Sequence, residues 1–121
     1  MSNKDYKTLA LSYLGKEVEI KIDRQLGSTH PKHENIVYPV NYGYIEGVIC
    51  GDGEELDVYL LGVNTPVTEY KATVIAVIHR LNDNEDKLVA APNGMSFTKE
   101  QILEATRFQE QYFQTEIETV N

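Results

Sequence analysis

A chain of 121 residues has the length of one small domain, which excludes two catalytic domains or a long solenoid. Its composition, 41% hydrophobic and 25% charged with 8 Gly and 4 Pro, is globular and excludes disordered, collagen-like and coiled-coil chains. Subtracting 19 Asp and Glu from 11 Lys and Arg leaves a formal net charge of −8, which excludes generic adhesion to nucleic acid or to an anionic membrane.

Tyr6, Leu9, Ala10, Tyr13 and Leu14 recur at helical spacing, and Gly15 stands where a left-handed cap is usual. This predicts a short amino-terminal helix that packs on the domain or on a second subunit. Val18 to Ile22 alternates as a strand does. Asp23 to Val37 is polar, carries Gly27, Pro31 and Asn35, and reads as a long exposed loop of the kind that often holds function. Asp57 to Val63, Thr73 to Ile78 and Lys87 to Ala91 are rich in β-branched and apolar residues and read as three further strands. Thr98 with Gln101 has the form of a capping box, and Ile102, Ala105, Phe108 and Tyr112 follow about once per turn, giving a carboxy-terminal helix on a sheet. No repeat or linker divides the chain, so residues 1–121 read as one domain.

Cys50 is the single cysteine, so no internal disulfide or cysteine-based zinc site can form. Met1 to Lys7 lacks the apolar core of a leader, and the apolar run from Ala72 to Ile78 is too short to span a bilayer. The expectation is a cytoplasmic, soluble protein.

The sequence Asp52-Gly53-Glu54-Glu55-Leu56-Asp57 places four acids in six residues without a base. Two carboxylates about 4 Å apart repel by about 1 kcal/mol in water and by several at an effective dielectric near 20, so converging side chains want a cation or a shared proton. A second group, Asp83, Glu85 and Asp86, follows the strand that ends in His79-Arg80 and is followed by Lys87. Neighbouring strand ends would bring the two groups into one basin of hard oxygen ligands suited to Mg2+ or Mn2+. Taken singly, each group reads equally as a solvated turn. An EF-hand is excluded, because the glycine comes directly after Asp52 and Val63 occupies the twelfth loop position. Upstream, Tyr38-Pro-Val-Asn-Tyr-Gly-Tyr-Ile45 carries three tyrosines, which either fill the core with hydroxyls at its edge or reach the acidic basin.

These motifs, with Glu85-Asp-Lys-Leu-Val-Ala-Ala-Pro92, resemble the soluble family I inorganic pyrophosphatases in order and spacing, from about Glu17 to Tyr112. The resemblance implies a mainly β (α+β) fold, an OB-like five-stranded β-barrel with a carboxy-terminal and a short amino-terminal helix. It implies Mg2+-dependent hydrolysis of pyrophosphate to two phosphates in the cytoplasm, with Mn2+ as a substitute and a homo-oligomer as the common assembly. Metal ligands would be Asp52, Asp57, Asp83, Glu85 or Asp86, and Glu19. Tyr42 would stand beside the attacking water, and Glu54, at the position of the family's middle aspartate, would take its proton. Lys87 and Tyr112 would bind phosphate.

The sequence departs from the family at the phosphate clamp. His30 takes the place of the clamping arginine, and Phe113 that of the lysine after the last tyrosine. A histidine replaces a guanidinium only in part, because its charge depends on pH. Arg24, Lys32, His33 and Arg80 are at hand to supply charge. Two alternatives to pyrophosphate hydrolysis stay open: a non-catalytic module binding divalent cations or nucleotides on the same fold, and a hydrolase of larger phosphoanhydrides.

Overall fold

The computed structural model describes residues 9–49, 53–81 and 86–120. Asp52, Asp83 and Glu85, three of the predicted metal ligands, and Tyr6 of the predicted helix lie outside the described residues. The strands are β1 (Glu17–Arg24), β2 (Asn41–Ile49), β3 (Glu55–Leu60), β4 (Glu69–Arg80), β5 (Asp86–Ala91) and β6 (Thr115–Thr119), with a helix at Lys99–Glu110 before the last. They are ordered β1-β2-β3-β5-β4, and β1 also pairs with β4, which closes five strands into a barrel. All pairings are antiparallel except that of β3 with β5. Along one edge, β4 pairs first with β1, from Glu69 to Thr73, and then with β6, from Ala76 to Arg80.

The four strands expected from alternation and β-branching are present as β1, β3, β4 and β5. Two were not foreseen. The tyrosine motif runs into β2, whose glycines and acids mask its strand character, and β6 reads Thr-Glu-Ile-Glu-Thr, too short and polar to stand out. Residues 9–11 are helical and end in a turn at Gly15, whose φ of +81° is the left-handed cap its sequence position suggested. Ala10 packs into the barrel.

Two apolar layers result. Val18, Ile20 and Ile22 of β1 join Leu56, Val58, Leu60, Val74, Val77 and Leu88 inside the barrel, while Glu17 and Glu19 alternate outward. The opposite face of β3, β4 and β5 carries Tyr59, Ile78 and Val89, covered by Ile102 of the helix. Burial on both faces explains why β5 is buried throughout. The capping box is formed: the Gln101 amide donates to Thr98 Oγ1 at 3.1 Å, and the Thr98 amide to Gln101 Oε1 at 2.8 Å. The helix stops at Glu110, so Tyr112, expected on its apolar stripe, falls in the turn beyond and is 65% exposed.

Gly43 is set by close approach. A Cβ there would lie 1.8 Å from the Lys21 carbonyl oxygen, so β1 and β2 can pair as they do only over a glycine. The fully buried Asn41 fastens the loops at the same end of the barrel. Its Oδ1 accepts from the amides of Leu26 at 3.0 Å and Val67 at 3.3 Å, and its Nδ2 donates to the carbonyls of Val63 and Thr65.

Candidate active site

Three predicted site residues meet on the outer face of the sheet. In register, Tyr44 of β2 lies opposite Asp57 of β3, and Asp57 opposite Lys87 of β5. Tyr42 reaches across from two positions along β2, and its hydroxyl donates to Asp57 Oδ2 at 2.9 Å. Lys87 Nζ donates to the same oxygen at 2.5 Å. The lysine side chain is 3% exposed and the aspartate 27%, so the ammonium is sealed while the carboxylate keeps an open side. Parallel pairing of β3 and β5 makes this contact, setting Asp57 of the first acidic motif beside Lys87, the base that follows the second.

Asp23 adds a carboxylate that the sequence reading left in the loop. It lies at a register irregularity between Ile22 and Arg24, and such bulges re-aim side chains. Burial pushes its carboxyl up, the charges of Asp57 and Glu55 push the same way, and Arg24 opposes them. Arg24 Nη1 lies 3.7 Å from Asp23 Oδ2. Tyr38, next to this group, has its phenol raised by burial, against the pull of Arg24 and Lys87. Acids and bases thus alternate around the mouth of the barrel: Asp23, Arg24, Asp57 and Lys87.

The other predicted residues are placed as follows. Glu54 is exposed at the bend just before β3. Glu55 folds back to accept from the Gly47 amide at 2.8 Å, tying the start of β3 to β2. Asp86 lies opposite His79 in the β4–β5 register, with its Oδ2 3.1 Å from His79 Nδ1, so it is turned from the face that carries Lys87. Glu19 is exposed beside Lys21, whose ammonium is 3.5 Å from Glu19 and 2.7 Å from Glu69. Arg80, expected to help bind substrate, donates from Nε and Nη2 to Glu110 at 2.9 and 2.7 Å and lies 3.7 Å over the ring of Phe113. The residue in place of the family's lysine is therefore spent on packing this arginine. His30 and Tyr112 do come together, lining one open cavity of about 380 Å³ with His33, Asn35 and Ile36.

A polar chain under the helix was not legible in the sequence. The Tyr59 hydroxyl donates to Glu110 Oε2 at 2.5 Å, Gln109 Nε2 donates to the Tyr59 oxygen at 2.8 Å, and Tyr38 donates to Gln109 Oε1 at 3.3 Å. Burial and the Glu110 charge push the Tyr59 phenol well above its ordinary value of 10.0. No spacing rule links positions 59, 80 and 110; only the closed barrel and the helix crossing bring them together.

Among the described residues, no group of three or more His, Cys, Asp or Glu side chains is arranged to hold a metal ion. The donor chemistry present, the half-open Asp57 with Asp23, whose carboxyl is pushed up by burial and by the charges of Asp57 and Glu55, suits a hard divalent cation. No helix among them is long and apolar enough to cross a membrane.

A family model described as inorganic pyrophosphatase matches residues 11–119. Soluble inorganic pyrophosphatase 2 of Chlamydomonas reinhardtii is 30% identical over 84% of this chain and 62% of its own length. The inorganic pyrophosphatase of Saccharolobus solfataricus is 38% identical over 62% of this chain and 42% of its own. The chain thus spans less than two thirds of the curated relatives it matches. Among solved structures, inorganic pyrophosphatase from Ehrlichia chaffeensis superposes with a TM-score of 0.68 at 20% identity, covering 88% of both chains, which shows a shared fold.

Proposed function

Because the chain belongs to the inorganic pyrophosphatase family, we propose that it hydrolyses inorganic pyrophosphate to two phosphates with a divalent cation, Mg2+ or in its place Mn2+. The observation that carries this reading is the convergence of Tyr42 and Lys87 on Asp57 Oδ2, with the carboxylate open on its other side. Asp57, Asp52, Asp83 and Glu85 are the proposed ligands. Glu85 is preferred to Asp86 because Asp86 faces His79. When bound, the cation supplies charge neutralisation for the phosphoryl oxygens and lowers the pKa of water.

The protein's own groups divide the remaining work. Tyr42 and Lys87 hold Asp57 in one orientation, which is worth most in a site where small displacements are costly. Lys87 also presents a fixed positive charge to phosphate at the same point. Glu54, exposed ahead of β3, is the proposed acceptor of the water proton. Arg24, His30 and Tyr112 are proposed to bind the phosphate farther from Asp57. Arg80, locked on Glu110, is assigned a structural role. The substrate is a small phosphoanhydride rather than nucleic acid, in keeping with the charge of −8, and a cytoplasmic homo-oligomer is the proposed setting.

Phosphate release from pyrophosphate in the presence of Mg2+ tests the reading. We expect turnover by the wild type and a loss of about 10²–10³-fold in Asp57→Asn, the scale of removing one electrostatic element of an active site. Equal release by both would reject it. Tripolyphosphate and ATP, assayed alongside, separate pyrophosphate from a larger phosphoanhydride.

A further inference from the structure

β6 is the last strand of the sheet, and among the described residues no strand pairs beyond it. The register tells which of its backbone groups face outward. Leu81 stands opposite Gln114, one step past the Arg80–Thr115 pair, and its amide donates to the Gln114 carbonyl at 2.7 Å. Bonded and non-bonded pairs alternate along an antiparallel ladder, so Glu116 and Glu118 bond to His79 and Val77 through their backbones. The N–H and C=O of Thr115 and Ile117 therefore point away from β4, as they do on an edge that can take up another strand.

The two faces of that edge differ. On one, Thr115 and Ile117 line a groove of about 430 Å³ whose opposite wall is the helix, with the buried Ile78 at its floor and Leu103, 50% exposed, at its rim. A helix set beside an edge strand is a layout in which an extended segment joins the sheet and places alternate side chains between the two. On the other face Glu116 and Glu118 are exposed, and Glu118 Oε1 lies 3.6 Å from Nε2 of the buried His79. The helix wall adds Glu100 and Glu104, where Arg107 Nη1 lies 3.6 Å from Glu104. The surroundings of the edge are thus acidic.

These charges select the occupant. β6 reads Thr-Glu-Ile-Glu-Thr in either direction, so a second copy paired antiparallel about Ile117 would set Glu116 opposite Glu118 twice. Like charges directly opposite are destabilising, whereas opposite charges there favour pairing. We propose that the β6 edge and the groove beside the helix form a docking site for an extended basic segment of another protein. The segment adds antiparallel as a further strand, with Lys or Arg opposite Glu116 and Glu118 and a β-branched apolar residue opposite Ile117, over the groove. The same glutamates keep the edge from pairing with itself. β4 and β5 separate this edge from Asp57 on β3, so docking requires neither metal nor turnover.

The probe is the peptide acetyl-Thr-Lys-Val-Lys-Thr-amide, titrated into the 15N-labelled full chain and followed by amide NMR. Saturable shifts are expected at Leu103 and from Thr115 to Glu118, with Glu54, Glu55 and Asp57 unmoved. The same peptide with glutamate in place of both lysines is expected not to bind. Methylating the central valine nitrogen removes the N–H that meets the Ile117 carbonyl and keeps both lysines, and is expected to weaken binding by about threefold to tenfold, the worth of one hydrogen bond. In the double variant Glu116→Lys, Glu118→Lys the preference is expected to reverse, the glutamate peptide binding and the lysine peptide not. Absence of shifts at β6, equal binding of the methylated peptide, an unchanged preference in the double variant, or shifts as large at Glu54, Glu55 and Asp57 would overturn the proposal. Concentration-dependent shifts at Glu116 and Glu118 without peptide would replace it with self-pairing of the edge.

Discussion

Two ion pairs on the same face of the sheet differ in what surrounds them. Arg80 and Glu110 are each 6% exposed, share two hydrogen bonds, and are closed over by Phe113 and the Tyr59 hydroxyl. Lys87 is as deeply placed, but its partner Asp57 is 27% exposed at the barrel mouth. In the first pair both carboxylate oxygens are consumed inside the protein. In the second, Tyr42 and Lys87 share one oxygen and, among the described residues, no hydrogen bond is recorded to the other. A sealed pair holds the helix on the sheet; a half-open pair holds a carboxylate ready for a ligand. Charge and burial of the cation alone would not have separated the two.

The largest expected effect breaks the sealed pair. Arg80→Met or Glu110→Leu, each leaving a buried charge unpaired, should cost about 3–5 kcal/mol in urea unfolding, and the double variant should recover much of it. An equal loss in the double variant would mean that the pair is not the source. Next, Mg2+ should act on the open pair. At one hundred times its dissociation constant it should stabilise the wild type by about 2.7 kcal/mol, measured by thermal melting. Asp57→Asn should lose that gain, whereas a Thr98→Ala variant should keep it. Thr98→Ala should itself cost about 1 kcal/mol through the lost cap, which loosens the helix without touching Asp57.

The smallest effect is a pH dependence of the sealed pair. Tyr59 has its folded pKa raised above its ordinary value of 10.0, so above pH 10 the unfolded chain loses that proton while the native state keeps it. Stability from this group is therefore present below pH 10 and declines as pH rises further. Unfolding free energies measured from pH 9 to 11 should fall with a shallower slope in Tyr59→Phe than in wild type. Equal slopes would show that Tyr59 does not titrate differently in the two states.

The sequence carried those parts of the molecule that local pattern encodes. Strand alternation at Val18–Ile22, the Thr98–Gln101 cap and the Gly15 turn depend on residues within one or two turns of each other. The tyrosine and acidic motifs were read as a site, and the fold joins Tyr42, Asp57 and Lys87 across three strands. What stayed hidden depends on long-range pairing. The Asp86–His79 contact follows from the β4–β5 register, and the Arg80–Glu110 pair from a helix crossing thirty residues later. Tyr112 was misread because helical spacing continues past the residue where the helix ends. The Asp23–Val37 loop looked irregular because its order resides in backbone hydrogen bonds, which no side-chain pattern announces.

A crystal of the full chain grown with Mn2+ and methylenebisphosphonate, with anomalous data at the manganese edge, tests the central claim most directly. The open pair predicts an anomalous peak within bonding distance of an Asp57 carboxylate oxygen, with Arg80 still locked on Glu110. Manganese bound elsewhere, for instance beside Asp86 and His79 on the opposite face of β5, with Asp57 touching only Tyr42 and Lys87, would contradict it.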